Sequence, residues 1–340
     1  NYRVVEKTAP DGFVHKKAEQ NVQFVYVDQD TPAVVESVEF INERQKVEIS
    51  VEKQDAENGS TIAGAEFGLY AKEDIKAGGK VIVKADEQLC TAVTGEDGTA
   101  IFEQNLPFGS YYIKELQAPD GFVSSDEIIE VTVSYQGQDV EVVRLKEIFK
   151  NQPTTVEFRK SDLTTGVELN GATLTVLDKD GNEIDKWTSV KGEPHIIKRL
   201  HVGETYILRE EFAPYGYLKA EEVEFTITDT AEIQKVEMKD DVPIGRIIIN
   251  KKGEFLSEVT WNEMVAGAMD SIWDYVTGSL KDVTFEIYAR EDVKAADGES
   301  DDYYKKDELV ATIKTDELGI ARTDDLPLGK YYVVEKETPM

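Results

Sequence analysis

One short pattern returns four times along the chain and limits what the chain can fold into. Each copy alternates apolar and polar residues, which is typical of a half-buried β-strand, and each holds a glutamate four residues after a tyrosine. The copies are YYIKELQAPDGF from Tyr111, NYRVVEKTAPDGF from Asn1, TYILREEFAPYGY from Thr205 and KYYVVEKETPM from Lys330. Their recurrence predicts repeated structural units, each with an acid at the same point of the same strand.

Two further strand patterns accompany this one. An alternating strand that ends in lysine opens a unit, as KVEISVEK does at Lys53, TTVEFRK at Lys160 and GRIIINK at Lys251. Another strand closes a unit, as VVRLKEIFKN does at Asn151 and KVEMKD at Asp240. Short alternating segments rich in Val, Ile, Tyr, Phe and Thr, separated by Gly, Asp and Asn turns, predict an all-β fold of tandem Ig-like β-sandwiches.

The order of these patterns divides the chain into four segments. Residues 1–44 are expected to form the closing part of a first domain, and residues 242–340 the opening and middle parts of a fourth. Between them, residues 45–151 and 152–241 are expected to form two complete domains. The joints NQP and DDVP are too short to act as flexible linkers, which predicts a semi-rigid string.

One stretch of the last segment departs from the β pattern. In residues 261–280 the apolar residues recur at helical spacing, at Met264, Ala268, Ile272 and Tyr275. This spacing predicts a short amphipathic helix inserted in the last domain. We expect such a helix to pack on its own domain.

Charge and cysteine content exclude several classes of function. The net charge of −30 argues against nucleic acid and anionic membrane surfaces as partners, because both would repel the chain. A single cysteine excludes an intramolecular disulfide and a multi-cysteine metal cluster. The apolar runs are too short to cross a bilayer, so direct membrane insertion is not expected.

Residue parity brings three polar side chains to the buried face of each complete unit. Residues two apart on a strand share a face, so Lys53 continues the apolar row of Val47, Ile49 and Val51. The sets that result are Lys53, Glu115 and Asn151 in one unit and Lys160, Glu210 and Asp240 in the next. The partial units hold Glu6 with Asn42 and Lys251 with Glu335. Two neighbours stay open as alternatives, although parity disfavours them: Asp241 and Lys252.

Such a set has a specific chemistry. A buried lysine, carboxyl and carboxamide are costly unless they satisfy one another. Burial favours the neutral amine, which is a nucleophile, and the protonated carboxyl, which can shuttle protons. An amine held against an Asn or Asp side chain, here named the acceptor residue, can attack its carbonyl carbon and expel ammonia or water. The predicted product is an intramolecular isopeptide bond.

The same residues resemble a known family over nearly the whole chain. YYIKELQAPDGF is similar to the E-box of Gram-positive pilins. The order of lysine strand, GAEF, E-box and closing asparagine resembles the Cna-B-type, SpaA-like (prealbumin-like) repeat domains of Gram-positive surface adhesins and pilins. VEMKDD and TLTVLDKDG resemble VaFE-type repeat proteins. The resemblance implies the cross-links Lys53–Asn151 and Lys160–Asp240, with Glu115 and Glu210 as catalytic residues.

The resemblance also implies a function. The chain would be a structural stalk of a cell-surface adhesin or pilus-like protein, extracellular and anchored to the cell wall. Its only chemistry would be single-turnover self-cross-linking, without a cofactor or an external substrate. In the partial units, Glu6 and Glu335 would be catalytic residues for Asn42 and Lys251, and we expect that neighbouring copies of the protein can complete each other there. As an alternative, the domains themselves bind a host extracellular-matrix protein.

Other candidate sites carry weaker signals. No nucleophile motif accompanies the histidines, which are expected at turns or on the surface: His15, His195 and His201. Cys90 is typical of a small core residue, with a thioester to Gln88 as the alternative. The segment DKDGNEID from Asp178 has the acid spacing of a calcium loop but lacks its downstream glutamate, which favours an ordinary β-turn.

Overall fold

The computed structural model describes residues 1–102, 105–263 and 269–337. The regular elements in these ranges are β-strands, which confirms the predicted all-β class. The alternating sequence explains this result, because an extended chain turns successive side chains to opposite faces and so buries every second residue. Within the described ranges we find no helix that is long and apolar enough to cross a membrane.

The strands group into two compact units. The first contains Asn1–Val156, Ile196–Glu204 and Thr226–Gln234, and the second contains Glu157–His195, Thr205–Phe225 and Lys235–Met340. Segment 152–241 therefore contributes residues to both units. The four domain limits drawn from the sequence repeats remain a prediction.

Residues 1–44 contain a two-stranded antiparallel sheet. Its strands are β1 (Tyr2–Val5) and β2 (Glu19–Val22). Tyr2 lies opposite Val22 and Val5 opposite Glu19. The E-box glutamate of this segment, Glu6, directly follows β1.

Residues 45–151 form two sheets around one apolar core. The strands are β3 (Lys46–Asp55), β4 (Glu66–Ala71), β5 (Ile75–Ala77), β6 (Lys80–Val83), β7 (Gln88–Val93), β8 (Thr99–Phe102), β9 (Gly109–Gln117), β10 (Ile128–Val133) and β11 (Val142–Asn151). One sheet has the order β10-β9-β4-β7 and the other β11-β3-β8, while β5 and β6 form a separate hairpin. The inward residues of both sheets meet in the core, among them Ile49, Val51, Phe67, Ile113 and Phe149. The first and last strands, β3 and β11, run parallel.

Residues 152–241 repeat this plan with fewer strands. The strands are β12 (Thr155–Asp162), β13 (Thr173–Leu177), β14 (Glu183–Thr188), β15 (His195–Lys198), β16 (Thr205–Phe212), β17 (Val223–Thr226) and β18 (Gln234–Asp240). One sheet has the order β14-β13-β16-β17, and β12 is hydrogen-bonded to β18. The buried side chains include Phe158, Leu174, Leu208 and Met238. The first and last strands of the segment are again neighbours.

Residues 242–340 form several small sheets. The strands are β19 (Ile244–Gly245), β20 (Ile248–Asn250), β21 (Lys252–Glu263), β22 (Met269–Ser279), β23 (Thr284–Ala289), β24 (Leu309–Lys314), β25 (Ile320–Arg322), β26 (Leu326–Pro327) and β27 (Tyr331–Glu337). The three-stranded sheet has the order β24-β23-β27, and three pairs join β19 to β26, β20 to β25 and β21 to β22. The E-box glutamate Glu335 lies on β27, opposite Phe285 of β23.

The helix predicted in residues 261–280 is wrong. β21 and β22 instead form an antiparallel hairpin, and Ile272 and Tyr275 lie on its second strand. Met264 and Ala268, the other residues of the predicted helical row, lie outside the described residues. The described part of the stretch is rich in β-branched and aromatic residues, which favour a strand, and strand pairing satisfies its backbone groups.

Candidate isopeptide sites

Three polar side chains meet in the core of residues 45–151. The side chains of Lys53 and Glu115 are 0% and 1% exposed, and Asn151 is 2% exposed. Lys53 Nζ donates a hydrogen bond to Asn151 Oδ1 and lies 3.0 Å from Glu115 Oε1. Asn151 Nδ2 donates to both Glu115 carboxylate oxygens, at 2.9 and 2.8 Å. Each of the three side chains therefore contacts the other two.

Strand register explains how the three residues meet. Because β3 and β11 are parallel, with Phe149 opposite Lys53, Asn151 lies two residues further along, beside the end of the lysine side chain. On the facing sheet, β9 holds Glu115 opposite Phe67 of β4. The rings of Phe67 and Phe149 pack with their centroids 4.8 Å apart, and Lys53 Nζ lies 5.8 Å from the Phe67 centroid. Aromatic surface thus separates the polar atoms from water.

This environment prepares the lysine for attack. Burial lowers the pKa of Lys53 from its ordinary value, although the Glu115 carboxylate opposes the change. A lower pKa increases the fraction of neutral amine, which is the nucleophilic form. The Glu115 carboxylate is itself held in place, because its Oε2 accepts a hydrogen bond from the Ser125 backbone N–H at 3.0 Å.

A second set lies in residues 152–241. The side chains of Lys160 on β12, Glu210 on β16 and Asp240 on β18 are all fully buried. Lys160 Nζ donates to Asp240 Oδ1 and lies 3.0 Å from Glu210 Oε1. The Ala220 backbone N–H donates to Glu210 Oε2 at 2.7 Å, as Ser125 does in the first set. The alternative acceptor, Asp241, is exposed.

The acid at the acceptor position changes the electrostatics of this second set. Burial raises the pKa of Asp240 to about 6, Lys160 works against this rise, and the neighbouring Glu210 carboxyl adds to it. Glu210 Oε1 is in ion-pair contact with Lys160 Nζ, whereas among the described residues Asp240 Oδ2 has no hydrogen-bond partner. A proton on Asp240 would remove one of the two like charges.

The first and last segments each bring two of the predicted residues together. Asn42 Nδ2 donates to Glu6 Oε1 at 2.7 Å, and Lys251 Nζ donates to Glu335 Oε2 at 2.9 Å. The Lys251 and Glu335 side chains are 28% and 31% exposed, so this pair is more open to solvent than the two complete sets. Lys252, the alternative lysine, begins β21 and is exposed.

A backbone contact that the sequence patterns did not reveal recurs beside three of the E-boxes. The residue eight positions after the glutamate donates its backbone N–H to the carbonyl of the residue that follows the acceptor. The three hydrogen bonds are Val14 to Glu43 at 2.9 Å, Val123 to Gln152 at 2.9 Å and Leu218 to Asp241 at 2.8 Å. The APDGF or APYGY part of the motif leads into this contact, so it fixes the register of the strand that carries the acceptor.

The lysine strand adds a second backbone contact. Three residues after each lysine, a backbone N–H donates to the carbonyl of the acceptor residue itself. The two hydrogen bonds are Ala56 to Asn151 at 3.0 Å and Leu163 to Asp240 at 2.8 Å. Asp55 and Asp162, two residues after each lysine, cap the turn by accepting backbone N–H groups. Backbone hydrogen bonds from two turns therefore hold the acceptor residue and the residue that follows it.

Residues of the weaker candidate sites make contacts that stabilise the local fold. Gln88 Oε1 accepts a hydrogen bond from the Tyr70 hydroxyl at 2.7 Å, and Cys90 is half-buried, with its pKa raised by burial. Asp178 accepts hydrogen bonds from both the backbone and the side chain of Asn182, each at 2.8 Å, as a capped turn does. In the ranges that the structure describes, no cluster of three or more His, Cys, Asp or Glu is arranged to hold a metal ion.

Solved structures that are similar to the chain include a Bacillus anthracis protein and two pilins. The Bacillus anthracis TIE protein is 24% identical with a TM-score of 0.49, over 87% of this chain and 46% of that chain. The shaft pilin SpaA from Lactobacillus rhamnosus GG is 15% identical with a TM-score of 0.27, over 58% and 98%. The minor pilin of Streptococcus agalactiae is 17% identical with a TM-score of 0.26, over 58% and 96%.

This chain thus spans less than half of the TIE protein chain that it matches. A search of curated proteins gave no match. The model of the SpaA family, described as a prealbumin-like fold domain, matches residues 47–147, 154–242 and 273–340. These ranges cover most of the chain and confirm the predicted resemblance and fold. The chain belongs to the SpaA family of prealbumin-like fold domains.

Proposed function

We propose that this chain is part of the structural stalk of a Gram-positive adhesin or pilus-like protein, whose domains lock themselves with intramolecular isopeptide bonds. The observation that carries the proposal is the buried contact of Lys53, Glu115 and Asn151. Burying such groups brings a large desolvation cost, and apolar residues of similar volume often serve a core equally well. Repetition of the set in the next segment, together with membership of the SpaA family, supports a chemical role.

The reaction at the asparagine site follows from the contacts. Glu115 Oε1 lies 3.0 Å from Lys53 Nζ and can take its proton. The neutral amine then attacks Asn151 Cγ, so that the Nζ–Cγ bond forms. Glu115 also accepts hydrogen bonds from Nδ2, and it returns the proton to that atom. The Cγ–Nδ2 bond breaks, ammonia leaves, and the Glu115 carboxylate takes the second proton that Nζ loses as the amide forms. Contact between the reactants supplies much of the rate enhancement, because no encounter is needed.

The reaction at the aspartate site is a condensation. Glu210 takes a proton from Lys160 Nζ, and the neutral amine attacks Cγ of the protonated Asp240. Glu210 returns this proton to the departing hydroxyl, the Cγ–O bond breaks and water leaves, and Glu210 takes the second proton that Nζ loses as the amide forms. The carboxyl acceptor must be protonated to lose water, and burial raises the pKa of Asp240 in the direction that favours this form. Both reactions occur once per molecule and consume no external substrate.

The positions of the two bonds suit a load-bearing role. The Lys53–Asn151 bond would close a loop of 98 residues and the Lys160–Asp240 bond a loop of 80. In the chain-entropy model for cross-links, each stabilises its domain by about 4–5 kcal/mol. Because β3 and β11 are parallel neighbours, tension that enters at β3 and leaves after β11 passes through the bond, and the rest of the sandwich carries no load.

The proposal places the protein outside the cell, anchored to the cell wall, with neighbouring copies or other stalk subunits as partners.

The proposed load-bearing role of the bonds can be tested by pulling single molecules from both ends. We expect no unfolding step from residues 53–151 in the wild-type chain, since the bond prevents extension. Glu115→Ala should add one step of roughly 30 nm, the contour length of the released loop, and should leave the second domain locked. A wild-type chain that already shows this step would contradict the proposal.

A further inference from the structure

The hairpin of β21 and β22 has one largely apolar face and one face where acidic and apolar side chains are mixed. Its register pairs Leu256 with Tyr275, Val259 with Trp273 and Trp261 with Ser271. A bulge between Leu256 and Glu258 shifts the parity of β21, so the side chains on both sides of the bulge stay on one face. We name this surface the apolar face, and its members are Leu256, Val259, Trp261, Met269, Trp273 and Tyr275.

The opposite surface, the acidic face, carries most of the charge. Glu258 lies directly opposite Asp274, and Asp270 lies opposite Asn262. Residues 253–280 contain five acidic residues and no lysine or arginine. The acidic face also carries three exposed apolar side chains, Phe255, Ile272 and Val276, and Glu254 lies on the apolar face beside Leu256. The apolar face nevertheless holds six of the nine large apolar side chains, and the acidic face three of the five acids.

The apolar face has no cover within the described residues. Five of its side chains are between 49% and 61% exposed: Leu256, Trp261, Met269, Trp273 and Tyr275. Among the described strands, β21 and β22 pair only with each other, and an isolated two-stranded ribbon is marginally stable in water. Exposed apolar patches of this kind mark interaction surfaces.

Part of the hairpin lies outside the family match, which stops at residue 242 and resumes at residue 273, inside β22. All of β21 and the start of β22 lie in this gap, together with Lys251 of the predicted lysine strand. The family model therefore does not describe the first strand of the hairpin.

We propose that the apolar face binds the same face of a second copy of this chain, so that two hairpins form a small β-sandwich between molecules. A ribbon with most of its large apolar side chains on one face can form half of a β-sandwich. Face-to-face packing buries both apolar faces and leaves both acidic faces in water. The acidic faces would then lie about 20 Å apart, well beyond the Debye length of about 8 Å at physiological salt.

The apolar area that the face offers for burial is consistent with a second copy of the chain as its partner. A large aromatic side chain buries about 150–250 Å² when it is fully covered, so the half-exposed members of the apolar face offer roughly 500 Å² per copy. Two copies would bury roughly 1,000 Å², which is the lower limit for a specific interface. We therefore expect a reversible dimer that dissociates on dilution and in denaturant. It requires neither isopeptide bond.

Sedimentation velocity of the full chain over the micromolar range tests the proposal. We expect a concentration-dependent dimer that tightens as salt rises, because salt screens repulsion between two chains of net charge −30. Dimer formation should also shift tryptophan emission to shorter wavelength, since two of the three tryptophans, Trp261 and Trp273, lie on the apolar face. A chain that stays monomeric at every concentration and salt level would overturn the proposal.

Two double variants identify the face. Trp261→Ser with Trp273→Ser should weaken the dimer at least tenfold, because central tryptophans dominate such interfaces. Phe255→Ser with Ile272→Ser removes exposed apolar side chains from the acidic face of the same hairpin and should leave the dimer intact. Unchanged melting of the other domains checks that both variants fold. A dimer that survives the first change, or that is lost equally in both, would show that the apolar face is not the interface.

Discussion

The two complete sets have the same lysine and glutamate on equivalent strands and differ in one residue. Asn151 is neutral, so its neighbours Lys53 and Glu115 balance each other's charge. Asp240 adds a second carboxyl beside Glu210, and burial raises the pKa of Asp240 to about 6. The pair of sites teaches that the strands determine which atoms touch, whereas the acceptor determines how many protons the site must hold.

Substitution of the buried lysine should produce the largest difference in stability between the two sites. Lys53→Met and Lys160→Met each abolish one proposed bond, at a cost of about 4–5 kcal/mol. Lys160→Met should cost more, because it also leaves Glu210 and Asp240 buried together without a cation. Calorimetry of each variant, with its intact mass, measures both effects.

Exposed lysines on the closing strands of the same two domains provide the controls. Lys146 on β11 and Lys239 on β18 have side chains that are 54% and 44% exposed. Their substitution by Met should change the free energy of unfolding by less than about 1 kcal/mol. If Lys53→Met and Lys160→Met behaved like these controls, neither buried lysine would form a bond.

Exchange of the acceptors should have a smaller effect on stability but a clear chemical signature. Asn151→Asp should make the first site lose water in place of ammonia, and Asp240→Asn should make the second lose ammonia in place of water. High-resolution mass measurement of proteolytic fragments reads the change. Asp241→Asn is the matched control and should leave the loss of water at the second site unchanged. Loss of ammonia in place of water in Asp241→Asn, with the bond kept in Asp240→Ala, would move the acceptor to Asp241.

The smallest expected difference between the two sites is in how the rate of bond formation depends on pH. The pKa of Asp240 rises from its ordinary 3.8 to about 6 in the folded, unreacted domain. Between these values the folded state holds a proton that the unfolded chain lacks, so this group stabilises the fold at low pH and the contribution is lost as pH rises through about 6. We expect bond formation at Lys160 to slow above that pH, whereas the neutral carboxamide of Asn151 causes no such fall.

Refolding provides the measurement of this pH effect. Inclusion bodies of the chain are dissolved in denaturant, and the unfolded chain is diluted into buffers of increasing pH. Samples taken over time are digested, and the masses of the proteolytic fragments show how much of each bond has formed. Equal pH dependence at the two sites would contradict the role of the Asp240 proton.

Much of this organisation is visible in the sequence, and the remainder has physical reasons for being hidden. Alternation and repetition predict the strands, and parity puts Lys53, Glu115 and Asn151 on inward positions where the structure brings them into contact. The hairpin was missed in 261–280 because the adjacent apolar pairs Ile272–Trp273 and Tyr275–Val276 place apolar side chains on both faces of β22 and so hide the alternation. The hydrogen bonds that hold the acceptors were missed because they join backbone atoms, although the recurrence of APDGF and APYGY marked where they lie.

The intact mass of the folded chain, measured again after denaturation, tests the central claim most directly. Two isopeptide bonds, one at Asn151 and one at Asp240, remove one ammonia and one water from the sequence mass, and denaturation does not restore them. We predict this deficit in both samples, with the cross-linked peptides joining Lys53 to Asn151 and Lys160 to Asp240. A mass equal to that of the sequence in both samples would contradict self-cross-linking at either site.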